Sequence, residues 1–162
     1  MALLEPGDRF PHIAIPAGGG GTLTLPDALA GHYGVVLVYR GAWCPYCNAQ
    51  LAAFQRAHAR LAAVDANVVA LSVDDEATTA DLVAKHGIEF PVGHSADARA
   101  VAEATGAFVN PEPLYLQSTG FVLDPSGNLI VAIYSTGAIG RLVADDVAGL
   151  IRYVRDHAPT TG

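Results

Sequence analysis

Two continuous apolar runs dominate the hydrophobic pattern. GVVLVYR (34–40) follows a Gly, NVVALSV (67–73) follows an alanine-rich stretch, and both are β-branched, so each predicts a buried strand. Between them the period changes. From Pro45 to about Ala63, the residues Cys47, Leu51, Phe54, His58 and Leu61 recur at i, i+4, i+7 spacing and predict one helix with a single apolar face. DDEATTADLVAKHG carries acids in its first turn and Gly87 at its end, which predicts a second helix. SADARAVAEATG (95–106) predicts a third, N-capped by Ser95 and closed by Gly106. LYLQSTGFVLD and NLIVAIYS are two strand candidates joined by the turn DPSGN. LVADDVAGLIRYVRDHA (142–158) is an amphipathic closing helix. Near the start, GTLTLPDAL alternates briefly and offers Pro26 and Asp27 as a helix start, after the loop AGGGG (17–21).

The order β-α-β-α-α-β-β-α predicts an α/β sandwich. Its first two long strands run parallel through a crossover helix, and its last two form an antiparallel hairpin. At 162 residues, without an internal repeat, the chain is expected to be one domain, residues 1–162.

Composition narrows the function classes. The chain is 51% hydrophobic and 15% charged, as expected of a packed globular protein. Its net charge of −7 argues against a nucleic-acid surface. No apolar run approaches the ~20 residues needed to cross a bilayer. MALLEPGDRFPH carries Glu5 and Asp8 and lacks a basic start leading into an apolar core, so the expectation is a cytoplasmic protein with no membrane partner.

Chemistry concentrates at GVVLVYRGAWCPYCNAQL, which holds the only two cysteines, Cys44 and Cys47. The first strand ends at Arg40, the turn GAW follows, and Cys44 falls at a helix start with Pro45 at the first helical position. Free N–H groups and the helix dipole stabilise a thiolate there, and a Cys-x-x-Cys spacing lets a second sulfur resolve what the first attacks. From Ala28 to Val64 there is no Asp or Glu, and Arg40, Arg56 and Arg60 are the only fixed charges. Arg40 is near enough in sequence to favour the ionised thiol. Zinc would need two further ligands, and histidines at 12, 32, 58, 86, 94 and 157 give no suitable spacing, so no metal is expected. A structural disulfide closing so short a loop would restrain the unfolded chain little. Trp43 and Tyr46 either contact substrate around the sulfurs or pack over the helix start. His58 is expected packed or half-buried on its stripe, and Asp74, Asp75 and Glu76 are expected to be a helix N-terminal cluster.

With a strand, WCPYC, a helix and then TGFVLDPSGNLIVAIY, residues 5–155 resemble the thioredoxin-fold superfamily. They look most like its peroxiredoxin-like branch, the alkyl hydroperoxide reductase/thiol-specific antioxidant family. The resemblance implies a thioredoxin-like three-layer sandwich with a central mixed sheet flanked by helices. It also implies a thiol-dependent oxidoreductase without cofactor. The substrate would be a peroxide or a disulfide, and the external reductant a thioredoxin-like protein or a low-molecular-weight thiol. Many such proteins dimerise, and the apolar content permits a homodimer here. The alternatives are a dithiol-disulfide reductase without peroxidase activity, or a redox sensor.

Two templates assign the sulfurs opposite roles. In the peroxiredoxin register P-x-x-x-T-x-x-C, Cys47 takes the attacking position, Cys44 replaces the Thr, Arg40 replaces the Pro, and Gln50 falls at a usual Glu or Gln. In the thioredoxin register Cys44 attacks and Cys47 resolves. Ser118 stands where peroxiredoxins carry an arginine and thioredoxin-like reductases a cis-proline, with Thr119 beside it as a second hydroxyl able to meet substrate. Pro111 and Pro113 are expected to be loop prolines.

Overall fold

The computed structural model describes residues 3–158. The elements are β1 (Ile13–Pro16), β2 (Thr22–Leu25), a 3-10 turn (Asp27–Leu29), β3 (Tyr33–Val38), α1 (Pro45–Arg56), α2 (His58–Ala63), β4 (Ala66–Leu71) and α3 (Glu76–His86). There follow β5 (Val92–Gly93), α4 (Ala98–Thr105), β6 (Val109–Pro111), β7 (Leu114–Leu116), β8 (Thr119–Leu123), β9 (Leu129–Tyr134) and α5 (Ala144–Asp156). The central sheet has five strands in the order β5-β4-β3-β8-β9. β3 pairs parallel with β4 across the crossover helices, and antiparallel with β8, which forms a hairpin with β9.

Side chains on a strand alternate between faces, and β3 shows what that achieves. Val35, Leu37 and Tyr39 enter one core with Cys47, Leu51, Phe54, Leu82 and Ile151, beneath α1, α3 and α5. Val36 and Val38 enter a second core with Ile15, Leu25, Val101 and Phe121, beneath α4 and the β1–β2 hairpin. This is the expected mixed sheet with a helical layer on each face, a thioredoxin-like sandwich. The AGGGG loop is the β1–β2 connection, where Gly19, Gly20 and Gly21 have φ of 84°, 105° and 80°, values that glycine adopts without a Cβ penalty.

Several elements depart from the hydrophobic pattern. The helix expected over 45–63 divides at Ala57, whose φ/ψ of −86°/7° turns the chain between α1 and α2. The turn keeps Ala57 and Leu61 buried while His58 becomes exposed, so His58 is a surface residue rather than a packed one. α4 begins at Ala98, and its N-cap is Asp97, whose carboxylate accepts from Ala100 N at 3.0 Å. Ser95 lies outside the helix at φ 55°, because its N–H is taken by the Asp74 carbonyl at 2.7 Å. Gly87 and Gly106 close α3 and α4 in left-handed geometry, as expected. LYLQSTGFVLD is not one strand: β7 pairs with β6 in a small hairpin, and β8 joins the central sheet. Pro111 ends β6 and Pro113 lies in the connection to β7. The Pro26–Asp27 start gives only the 3-10 turn.

Candidate active site

The redox turn is fixed from several directions. Cys44 N donates to Gly41 O at 3.1 Å, closing the turn. Ala42 N donates to Asp74 Oδ2 at 2.8 Å, and Asn48 Nδ2 donates to Ala42 O at 2.8 Å and Cys44 O at 2.9 Å. Asn48 is held in turn by His86 Nε2 at 2.7 Å. A Cβ on Gly41 would run into the indole of Trp43, so the turn needs glycine where Trp43 folds back.

These contacts place Cys44 as the N-cap of α1, with φ/ψ of −90°/115°, Pro45 following, and its Sγ accepting from Cys47 N at 3.4 Å. The sulfur thus occupies the place of a capping oxygen, where a helix presents unpaired N–H groups. Cys47 lies one turn deeper, its Sγ accepting from Arg40 N at 3.3 Å. Both thiols are free and closed to solvent.

Each sulfur has its own arginine. Arg40 Nη1 lies 3.9 Å from Cys44 Sγ, while its Nε donates to Gln117 Oε1 and its Nη2 to Tyr115 Oη, both at 3.0 Å. The same guanidinium sits 4.9 Å from the Trp43 ring and 5.3 Å from the Tyr115 ring. Those two rings meet edge to face at 5.0 Å, which fixes its plane. Arg141, in the segment between β9 and α5, brings Nη2 to 3.5 Å from Cys47 Sγ. It donates to Gln50 Oε1 at 3.0 Å and twice to Ala138 O, while Gln50 Nε2 donates to Leu142 O at 3.0 Å.

The two thiols are driven apart in acidity. Burial opposes the Cys44 thiolate, but donation from the Cys47 thiol and backbone N–H and from Arg40, with the Arg141 charge, outweighs it and holds Cys44 below the ordinary cysteine value. Burial pushes Cys47 up, and Cys44, by accepting a hydrogen bond from the Cys47 thiol, adds to the rise; the Arg40 N–H and Arg141 offset only part. Asp74 is also raised, first by burial, and its carboxylate is occupied with Ala42 N.

The remaining residues singled out in the sequence fall around this pair. Trp43 and Tyr46 are 56% and 54% exposed, and Pro45 is exposed at the first position of α1, beside the two cysteines in the chain. Ser118 and Thr119 are buried at the start of β8, where Thr119 pairs in register with Val38. Thr119 Oγ1 donates to Gln117 O at 3.1 Å, and the Ser118 carbonyl accepts from Ser135 N at 3.0 Å. It is their neighbour Gln117 whose side chain reaches the arginine. Arg141, Gln117 and Tyr115 are functional candidates that local spacing does not point to, since they lie 94, 77 and 75 residues from their partners. Among the described residues no three His, Cys, Asp or Glu side chains converge as a metal site would require, and no helix is long and apolar enough to cross a membrane.

Known proteins resemble this chain in sequence and in fold. A model of the AhpC/TSA family matches residues 6–132. A peroxiredoxin of Methanothermobacter thermautotrophicus is 28% identical over 155 residues, covering 92% of this chain and 71% of the relative. A Mycobacterium tuberculosis relative, also named as a peroxiredoxin, is 30% identical over 146 residues, covering 86% of this chain and 90% of its own length. Among solved structures, the peroxidoxin BcpB of M. tuberculosis superposes with a TM-score of 0.81 at 22% identity, over 94% of this chain and 99% of that one. M. tuberculosis AhpC superposes with a TM-score of 0.80 at 22% identity, over 99% and 98% of the two chains. With the dithiol at the end of β3 and a matching family model over most of its length, the chain belongs to the AhpC/TSA family of thiol-dependent peroxidases.

Proposed function

We propose that the protein reduces peroxides with Cys44 as the attacking thiol and Cys47 as the resolving one. The observation that carries this is the placement of the two sulfurs: Cys44 Sγ caps the N-terminus of α1 with Arg40 Nη1 at 3.9 Å, whereas Cys47 lies one turn deeper, and the directions of their acidity shifts agree with that placement. A thiolate is the nucleophile, and a neighbouring thiol is what a sulfenic acid condenses with.

The steps balance as follows. The Cys44 thiolate attacks the terminal oxygen of a hydroperoxide, the O–O bond breaks, and the leaving alkoxide or hydroxide takes a proton to depart as alcohol or water. Cys44 is then a sulfenic acid. Cys47 Sγ attacks it, the S–S bond forms, and the S–O bond breaks with release of water that carries the Cys47 proton. An external reductant, the dithiol of a thioredoxin-like protein or two molecules of a small thiol, completes the cycle: its first thiolate attacks Cys44 and releases Cys47, and its second attacks the mixed disulfide, releases Cys44 and leaves the reductant as a disulfide. Arg40 stabilises the first thiolate and the charge developing on the leaving oxygen, while Arg141 favours ionisation of Cys47 in the second step.

The test is peroxide consumption with a dithiol donor in wild type, Cys44→Ser and Cys47→Ser, beside reduction of a small disulfide. The proposal expects peroxide turnover in wild type, none in C44S, and, in C47S without donor, consumption of one peroxide per chain to leave Cys44 as the sulfenic acid. Disulfide reduction without peroxide consumption would instead identify a dithiol reductase.

A further inference from the structure

We infer that the dithiol site selects hydroperoxides that carry a carboxylate close to the peroxide, and that Arg40 is the residue that reads it. The inference rests on the peroxidase function proposed above. A guanidinium has five N–H donors in a fixed plane. Arg40 engages three: Nε with Gln117, one Nη1 hydrogen toward Cys44, and one Nη2 hydrogen with Tyr115. That leaves one donor on each Nη nitrogen, the pair that a carboxylate accepts in a bidentate fork. Arg141, by contrast, spends Nε, one Nη1 hydrogen and both Nη2 contacts on Ala138, Gln50 and Cys47.

The surroundings keep this fork oriented and uncompensated. Trp43 and Tyr115 hold the guanidinium against their rings, so little side-chain entropy is lost when an anion docks. Arg40 is only half-buried and lies beside the exposed Trp43, so it is the charged group an incoming molecule meets first. The whole chain carries −7, yet no Asp or Glu lies between residues 28 and 64, and Asp74 turns its carboxylate to Ala42 N. Two guanidinium charges therefore face one thiolate in an otherwise acidic protein, and this local field draws an anion toward the sulfur.

Spacing sets the chemical class. Nη1 stands 3.9 Å from Cys44 Sγ, and a carboxylate oxygen would sit a hydrogen bond beyond the fork, so it lies within about 7 Å of the sulfur. A carboxylate three or four bonds from the peroxide spans that distance, while one at the far end of a long acyl chain does not.

A matched pair tests this: 4-hydroperoxy-4-methylpentanoate and its methyl ester, which differ only in the charge. With dithiol donor in excess, wild type is expected to favour the acid by about tenfold in kcat/KM, carried by KM and shrinking as salt is raised. Arg40→Lys keeps a charge but loses the fork. Both rates should fall in that variant, because Cys44 loses a partner, and the acid-to-ester ratio should shrink severalfold, to the part that charge alone supplies. Equal efficiency on both hydroperoxides in wild type, or an undiminished ratio in R40K, overturns the inference while leaving the peroxidase function standing. Turnover of neither hydroperoxide by wild type overturns both together.

Discussion

The guanidinium of Arg40 is anchored 3.9 Å from the sulfur of Cys44 by two partners on the far side, Gln117 and Tyr115. These partners belong to the β6–β7 hairpin and the approach to β8, not to the segment after β3 that bears Arg40. Arg40→Gln should therefore raise the Cys44 thiol toward the ordinary cysteine range and slow peroxide reduction at neutral pH by roughly an order of magnitude. Stopped-flow oxidation of the variant at several pH values checks this. A rate and pH midpoint equal to wild type would separate Arg40 from the thiolate.

The opposite displacements of the two thiols predict an order of alkylation. Cys44 is depressed, so as pH falls below the ordinary cysteine value it remains ionised and reacts with iodoacetamide. Cys47 is raised, so it stays protonated at a pH where a free cysteine has ionised. Peptide mass spectrometry of briefly alkylated, reduced protein at neutral pH should find the label on Cys44. Equal labelling would contradict the divergence.

In the proposed mechanism Arg141 acts on the second step. Arg141→Gln removes the cation 3.5 Å from Cys47 Sγ and frees Gln50. Disulfide closure should slow by about tenfold, with the initial oxidation less affected, so the Cys44 sulfenic acid lives longer and over-oxidises more readily. Time-resolved capture of the sulfenic acid separates the two phases. An unchanged lifetime would remove Arg141 from the resolving step.

The start of α4 predicts a contrast in stability. Asp97→Ala deletes the carboxylate that caps Ala100 N and should cost about 1 kcal/mol in denaturant unfolding. Ser95→Gly should cost less than that, because glycine adopts the φ of 55° at position 95 freely, which offsets the lost hydrogen bond between Ser95 Oγ and His94 Nδ1 at 2.8 Å. If S95G is the more damaging of the two, the cap assignment is wrong.

How far the sequence disclosed this architecture depends on the range of each signal. β3, β4 and the helices follow from periodicities local to them, and the closing glycines Gly87 and Gly106 lie where their chemistry requires. Cys44, Cys47 and Arg40 were legible because a strand end, a short turn and a helix start are contiguous. Arg141, Gln117 and Tyr115 were not, since only the pairing of β3 with β8 and β8 with β9 brings their segments to the turn. Ser118 drew attention by its place in a family pattern, yet the side chain engaged with Arg40 belongs to Gln117. Strands of two to four residues, such as β1, β5 and β6, are too short to show a period and depend on their partners. His58 shows the converse, a residue on an apolar stripe that leaves it when the helix turns at Ala57.

The assignment of roles within the dithiol is tested most directly by locating the first oxidised sulfur. Cys44→Ser and Cys47→Ser are each treated with one equivalent of hydrogen peroxide in the presence of dimedone, and the adduct is mapped by peptide mass spectrometry. The account predicts a single adduct on Cys44 in C47S and none on Cys47 in C44S. An adduct on Cys47 in C44S, with Cys44 unmodified in C47S, would contradict it.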